Sequence, residues 1–438
     1  MLTLVAVALM WGALIGCRSQ DKGPALNKAA APVDATSPAL KASADGPRLG
    51  SVANVTPILE RPTPGAKIMG YLHAGSTVPR GKQPVSKEAC GGGWYAVYPK
   101  GFVCAGEAAS LDLDHPTLQA MALQPKLDAD LPYTYARTRS DTSYLEASAQ
   151  AEDSVRTLAE LPQQSGLAVI GSWHARDEKG KALRLAMMTD GHFVDAEHLE
   201  TNKASEFKGV QLDEQQRLPL AFVVKRGVRQ WELGKNEARK GDLLDYHARL
   251  PLDGKVRTVQ GERFWATKRG AWVRNRDVTV IQTRSEFPKF VQEDTRWIDI
   301  SVLAGSMVLY QGQQPVYASL VSVGQDRLGD PNGNEATMRG EFPVIFKHIT
   351  AVAADPARFA NKVEMHDVPW VLELSSGQWI HGAYWHDRFG IEHGPGNIQL
   401  SPADAAHVWR WAGPALPAGW HGVASKRDEP ATLVNIRK

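Results

Sequence analysis

Three histidines near the C-terminal end of the chain have the types and spacing to do chemistry. His381, His386 and His393 lie in the glycine- and aromatic-rich stretch WIHGAYWHDRFGIEHGPGNIQLSP, from Trp379 to Pro402. Because histidine exchanges a proton near neutral pH, such a cluster is typical of a centre for general acid–base catalysis. The stretch contains no cysteine, and neither a serine nor a carboxylate stands where a nucleophile is expected. It therefore indicates either an active site or a site that has lost its nucleophile.

Metal binding and packing are the alternatives for the same histidines. Together with Glu392 they offer ligand chemistry, but their spacing matches no strong zinc signature. We therefore predict no metal and no cofactor. His386, in YWHD, is interpreted either as a packing residue or as part of a binding surface with Tyr384 and Trp385. Those two aromatic side chains suit the core as well as stacking on a sugar or peptide.

Strands and one helix must position these residues. From about Thr295 the pattern is a β-meander, RWIDISVLAGSMVLYQGQQPVYASLVSVG, and GEFPVIFKHITAVA and VPWVLELSSGQWIHGAYWH predict further strands. The segment SPADAAHVWRWAG predicts a helix, because Ser401 is a suitable N-cap and Pro402 suits the first helical position. Ser401 is the hydroxyl nearest to the histidines in sequence, but capping explains it without chemistry.

Taken together, residues 296–413 resemble the catalytic domain of the L,D-transpeptidases, the YkuD type. ATMRGEFPVIFKH is similar to the family's TPxGxF strand, IHGAYWHDRFG to its first histidine segment, and EHG followed by NIQLSPADA to its SHGCVNLSPxDA block. The resemblance implies acyl transfer, in which a cysteine thiolate attacks a peptidoglycan stem peptide and an amine of a second stem resolves the thioester. It places the general base at His393, an oxyanion loop at Gly394 and a pocket histidine at His381.

The chain departs from this family at the nucleophile. Directly after His-Gly the position is Pro395, but if LSPADA sets the register, two residues have been inserted and the position is Asn397. Neither offers a nucleophile, because proline has no reactive group and the asparagine amide is not deprotonated. Two functions stay open. We predict a degenerate member that keeps the groove for binding; the alternative is an active transpeptidase or carboxypeptidase with a non-standard nucleophile.

The N-terminal end predicts export and lipid attachment. Residues 1–17 are typical of a signal peptide, and LIGC resembles the bacterial lipobox, which implies lipidation of Cys17. Residues 18–47 lack apolar periodicity and indicate a disordered tether. In an oxidising compartment we expect Cys90 and Cys104 to form a disulfide, because the segment between them predicts a hairpin. The expected location is the cell envelope, as a membrane-anchored lipoprotein that faces the periplasm.

Small β modules are predicted for the middle of the chain. Residues 48–113 alternate short strands with turns and resemble bacterial SH3-like modules, including the GWYxV…GFV ending. Residues 164–285 carry two looser copies of this ending, DGHFVDAEHL and RFWATKRGAWVRNRDVTVI, and are predicted to be a diverged SH3-like region. Residues 114–163 are predicted to be a helical or irregular connector, with a helix over Ser143–Leu161.

Composition agrees with a mainly β protein. Thirteen Trp and 39 Gly in 438 residues favour turn-rich β structure over helix bundles. The net charge of +2 gives no reason to expect a nucleic-acid partner. The predicted fold is mainly β: SH3-like small barrels, then an L,D-transpeptidase-type β-sandwich with a short helix (residues 294–415) and a tail (416–438). The predicted partners are peptidoglycan stem peptides or a cell-wall enzyme, and the membrane through the lipid anchor.

Overall fold

The computed structural model of the chain describes residues 39–148, 153–324, 336–351, 364–394, 396–426 and 431–438. The predicted signal peptide, Cys17 and the tether up to residue 38 lie outside these ranges, as does Pro395. Within the ranges, 31 strands accompany two short α-helices, so the predicted mainly β fold is confirmed. No helix of this described part is long and apolar enough to cross a membrane.

The first module, residues 48–110, consists of short strands around a small apolar core. They are β1 (Arg48–Ser51), β2 (Thr56–Leu59), β3 (Ile68–Leu72), β4 (Thr77–Pro79), β5 (Trp94–Ala96), β6 (Phe102–Cys104) and β7 (Ala109–Ser110). β5 and β6 form the predicted hairpin, in which Trp94 lies opposite Cys104. Cys90 and Cys104 form the predicted disulfide, with their Cα atoms 5.9 Å apart. A short helix, α1 (Pro116–Ala120), follows the module.

The second module, residues 134–201, is a seven-stranded antiparallel sheet. Its strands are β8 (Thr134–Thr138), β9 (Thr142–Ala147), β10 (Val155–Leu161), β11 (Gly166–Arg176), β12 (Ala182–Met188), β13 (Phe193–Asp195) and β14 (Leu199–Thr201).

The helix predicted over Ser143–Leu161 is wrong. The helical or irregular connector predicted for residues 114–163 contains α1, but it also holds β8, β9 and β10. The predicted helix segment instead forms β9 and β10, which pair with each other, and the same sheet already begins at β8. Tyr144 and Leu161 pack in one apolar cluster while Leu145 and Val155 pack in another. The apolar residues are thus buried on both faces of a sheet. This burial contributes more than the helix propensity of the intervening Ala and Glu residues.

The third module, residues 220–281, repeats the architecture of the second. A two-residue strand, β15 (Val210–Gln211), precedes it. Its strands are β16 (Leu220–Val223), β17 (Arg229–Leu233), β18 (Ala238–Leu243), β19 (Arg249–Val259), β20 (Glu262–Thr267), β21 (Trp272–Arg274) and β22 (Val278–Ile281). The order β18-β17-β21-β20-β19-β16-β22 corresponds strand for strand to β10-β9-β13-β12-β11-β8-β14. In both modules a 3-10 turn joins the last two strands. The two looser copies expected from the sequence therefore share one topology, while their relation to SH3-like modules stays a prediction.

The C-terminal domain, residues 296–437, holds the largest apolar core. Its elements are β23 (Arg296–Ser301), β24 (Ser306–Gln311), β25 (Gln314–Leu320), β26 (Gly340–Ala351), β27 (Val368–Leu374), β28 (Trp379–Gly382), β29 (Ile398–Leu400), α2 (Pro402–Trp411), β30 (Gly422–Ala424) and β31 (Leu433–Arg437). β23, β24 and β25 form the predicted meander. α2 is the predicted helix, and Ser401 caps it by accepting from the backbone N–H of Asp404.

The predicted C-terminal tail, 416–438, is instead part of two sheets. β31 lies parallel to β23 and antiparallel to β26, and β30 joins β26 to β3 of the first module. Trp420 packs into the core of that module. Residues 416–438 therefore connect the first module to the C-terminal domain through strand pairing and core packing.

Candidate active site

The histidine stretch is held between two parallel strands of the C-terminal domain. β28 and β29 pair so that His381 lies opposite Gln399 and Ile380 opposite Ile398. The connection between these strands carries His386 and His393. α2 packs behind both strands and behind β27, which gives the connection a fixed base.

A buried carboxylate anchors the first turn of α2. Asp404 has no solvent exposure. Its Oδ1 accepts from the backbone N–H of Gly209 at 2.8 Å and from the hydroxyl of Tyr317 at 2.6 Å. Its Oδ2 accepts from the hydroxyl of Ser319 at 2.5 Å. One side chain thus ties the helix to β25 and to the segment that leads into the third module.

His381 is buried beneath the connection. Its side chain has no exposure, and its Nδ1 donates to the carbonyl of Gly382 at 3.1 Å. Burial lowers the pKa of His381 to about 4. The ring of Trp385 lies over it, with centroids 5.7 Å apart. His381 is therefore neutral at neutral pH and lies behind the surface that a ligand would meet.

Contacts fix the tautomer of His386. Its Nδ1 accepts from the backbone N–H of Arg388 at 3.0 Å, so the ring proton must be on Nε2. Nε2 then donates to Oε1 of Gln399 at 2.5 Å. Burial, and then the neighbouring His393, lower the pKa of His386 to about 3. His386 cannot act as a proton acceptor in this state, because both nitrogens are engaged.

His393 stands beside His386 at the surface of the site. The two rings are in edge contact, with centroids 4.4 Å apart. The backbone N–H of His393 donates to the carbonyl of Val323 at 2.9 Å, and Gly394 follows at a positive φ of 83°. Burial, and then the charge of Arg388, lower the pKa of His393. A half-buried, neutral imidazole can accept a proton from a bound group.

Asn397 occupies the head of β29. It is 7% exposed, and its side-chain oxygen accepts from the backbone N–H of Trp379 at 2.9 Å. Gln378 donates to the carbonyl of the preceding Gly396 at 2.5 Å. The asparagine side chain is therefore a structural link between β28 and β29.

Of the two aromatic residues predicted to bind a ligand, one is in the core. Tyr384 is 1% exposed and packs on Tyr135 of the second module, with ring centroids 4.1 Å apart. Another module covers this ring, so the structure favours the core interpretation of Tyr384 over the binding one. Trp385 is half-buried and lines the cleft described next.

A cleft of about 630 Å³ opens over His386 and His393. Its other lining residues come from the same connection and from the third module: Val224, Lys225, Arg226, Tyr246, Trp385, Asp387, Arg388 and Ile391. The sequence reasoning missed the third-module residues, since no motif marks them and they precede the histidines by about 140 residues or more.

Asp387 joins the connection to the third module. The hydroxyl of Tyr246 donates to its backbone carbonyl at 2.9 Å, and Ser205 donates to its carboxylate. Arg226 and His247 lie 3.6 Å from the carboxylate oxygens. Across the described ranges, no group of three His, Cys, Asp or Glu side chains is placed to hold a metal ion, and this includes the histidines with Glu392.

Residues 295–435 match the family model for the L,D-transpeptidase catalytic domain, YkuD. This part of the chain is a domain of the L,D-transpeptidase catalytic type. The match includes β30 and β31, so the transpeptidase domain extends beyond the predicted end at residue 415. No curated protein matches the chain.

Solved L,D-transpeptidases are similar to the chain over part of its length. One from Xylanimonas cellulosilytica is 15% identical, with 35% of this chain and 65% of that chain covered at a TM-score of 0.24. One from Stackebrandtia nassauensis is 15% identical, with 35% and 62% covered at 0.24. One from Mycobacterium smegmatis is 12% identical, with 53% and 100% covered at 0.25. The chain thus spans just under two thirds of the first two proteins, and similarity at this level carries no argument about activity.

Two serine hydroxyls near the histidines make structural hydrogen bonds. Ser401 and Ser322 are both fully buried. Ser401 caps α2, and Ser322 donates to the carbonyl of Arg388. Neither is exposed to a substrate in the cleft.

Lowering the pH from about 7.5 to about 5 is expected to destabilise the transpeptidase domain through His381. Its folded pKa of about 4 lies below the value of 6.5 for an unperturbed histidine. As the pH falls below about 6.5, His381 binds a proton in the unfolded state but not in the folded state. The contribution of His381 to stability is therefore complete above that pH and falls by about 2 kcal/mol over the interval. Urea unfolding at both pH values measures the loss.

The comparison with His381→Asn isolates this histidine. Buried carboxyls such as Asp367 and Asp404, whose pKa values burial raises, act with the opposite sign, so the parent's slope alone does not report on one group. We expect the variant to lose about 2 kcal/mol less than the parent over the same interval. Equal losses in the two proteins would show that His381 is protonated in the folded state.

Proposed function

We propose that this protein is a cell-envelope member of the L,D-transpeptidase family that binds peptidoglycan stem peptides, or a wall enzyme, without catalysing acyl transfer. The observation that carries the proposal is Asn397. It is the residue before the strand that leads into LSPADA, and it is one of the two positions, with Pro395, at which the family resemblance places the cysteine.

The available nucleophiles support this proposal. The transpeptidase reaction needs a thiolate that forms a thioester. Cys90 and Cys104 are joined in the first module, and Cys17 lies in the predicted signal region. The amide of Asn397 does not ionise.

The rest of the site supports retained binding. The L,D-transpeptidase family acts on peptidoglycan stem peptides, and here a cleft of about 630 Å³ remains over the histidines. His386 and His393 keep defined positions in it. A second candidate is an active enzyme with a non-standard nucleophile, which the neutral, half-buried His393 favours because it could serve as a base.

We further propose a membrane-anchored position that faces the periplasm. LIGC at Cys17 supports a lipid anchor, and residues 18–47 would then be the tether. The three β modules, as SH3-like units, would contact the wall or a wall enzyme.

Incubation of the purified protein with tetrapeptide-stem muropeptides tests the two candidates. We expect the protein to be pulled down with isolated sacculi and to yield neither cross-linked nor trimmed products. Turnover that disappears in His393→Ala would refute the proposal of binding without catalysis and support the active enzyme. Absence of both turnover and sacculus binding would refute peptidoglycan recognition.

A further inference from the structure

The third module is far more basic than the chain as a whole. Residues 220–281 contain fourteen Lys and Arg but seven Asp and Glu, whereas the complete chain contains 50 and 48. A module with a formal charge of about +7 attracts anions by its summed field as well as by individual contacts.

Part of this charge lines the histidine cleft. Lys225 and Arg226 come from the third module, and Arg388 comes from the connection that carries the histidines. Asp387 is the acidic residue among the lining residues. Its carboxylate accepts from the hydroxyl of Ser205 and lies 3.6 Å from Arg226, so it offsets one of the three positive charges. The histidines add no charge at neutral pH, since burial lowers the pKa values of His386 and His393. The lining is therefore net positive.

Close packing holds these cations in place. A Cβ at Gly390 would lie 2.6 Å from the side chain of Val224, so the third module touches the connection at a glycine. Arg226 lies over the ring of Tyr246 at 4.5 Å, and Tyr246 donates to the carbonyl of Asp387 at 2.9 Å. The guanidinium is thus oriented by an aromatic ring while its side chain stays 76% exposed. An exposed and oriented guanidinium is suited to a carboxylate that arrives from solvent.

We propose that the third module completes the histidine cleft and makes it a carboxylate-binding site, in which Arg226, Lys225 and Arg388 select a peptide by its free carboxyl groups. This inference rests on the proposed binding of stem peptides and adds the residues that recognise them. The three cations act on ligand affinity and on the choice between charged and neutral ligands. Lys225 and Arg226 lie in a module outside the transpeptidase match, which begins at residue 295, whereas Arg388 lies inside the match.

Calorimetric titration with two forms of one ligand tests the proposal. The full protein is titrated with a disaccharide-tetrapeptide that has free carboxyl groups and with the same compound fully amidated. We expect the free acid to bind about 10²-fold more tightly, since two charge-assisted contacts are each worth about one power of ten. Arg226→Gln and Arg388→Gln should each weaken binding of the acid by about ten-fold and leave binding of the amide unchanged.

Arg269→Gln is the matched control, because it removes the same charge from an exposed turn of the third module outside the cleft lining. It should leave both affinities within about two-fold of the parent. If Arg226→Gln unfolds, the exposed Arg388 alone decides the outcome. Equal affinity for acid and amide, with no effect of Arg388→Gln, would overturn the carboxylate site but leave stem-peptide binding intact. Absence of binding by either form to the parent would refute both.

Discussion

Replacing Asp404 by alanine is expected to lower the free energy of unfolding by about 3–5 kcal/mol, because three buried donors lose the acceptor that they share. The substitution leaves the Gly209 N–H and the hydroxyls of Tyr317 and Ser319 without their acceptor in a fully buried place. Each buried donor that loses its partner costs about 1–3 kcal/mol. Urea unfolding followed by tryptophan fluorescence measures the change.

Two variants give this prediction its controls. Asp404→Asn keeps the volume and one acceptor oxygen, so we expect it to lose about half as much stability. Asp128 is exposed, and Asp128→Ala should change the free energy of unfolding by less than about 0.5 kcal/mol. A loss for Asp404→Ala that is no larger than that for Asp128→Ala would show that the three donors find other partners.

Short-range patterns were sufficient for much of the fold. The hairpin that ends at Cys104, the meander from Arg296 and the cap at Ser401 each depend on residues close in sequence, and the structure has all three. The helix prediction for the segment from Ser143 to Leu161 was wrong because the apolar spacing of that segment suits a helix in isolation. Pairing with other strands makes it part of a sheet instead. One of these strands is β13, which pairs with β9 and lies about fifty residues further along the chain.

In the site too, residues that are close in sequence were predictable, whereas contacts between distant parts of the chain were not. The histidines and the position of Asn397 could be found from motif spacing alone, because they lie on β28 and on the connection that leads from it to β29. The covering of Tyr384 by Tyr135 and the approach of Arg226 to Asp387 are long-range contacts. One useful signal was present in the composition, namely the excess of Lys and Arg between residues 220 and 281. Charge counted over the whole chain hides it.

Replacing Pro395, Gly396 and Asn397 by a single cysteine is expected to create L,D-transpeptidation. The change removes the two inserted residues and puts a thiol directly before Ile398, at the head of β29. The lowered pKa of His393 keeps this imidazole neutral and able to accept the thiol proton near pH 7. A positioned base contributes about 10²–10⁴-fold, so the cross-linked product should rise at least about 10²-fold above the parent's background.

The new thiol must be distinguished from a merely reactive cysteine. Working in a Cys17→Ala background leaves Cys90 and Cys104 in their disulfide and makes the introduced thiol the free one. The same deletion with alanine in place of cysteine should give no product, and adding His393→Ala should lower the rate by about 10²-fold or more. Mass spectrometry should detect the thioester between the protein and a tetrapeptide stem. A folded variant whose thiol is alkylated readily but never acylated would mean that His393 does not face the head of β29. The groove would then have lost its catalytic geometry together with its nucleophile.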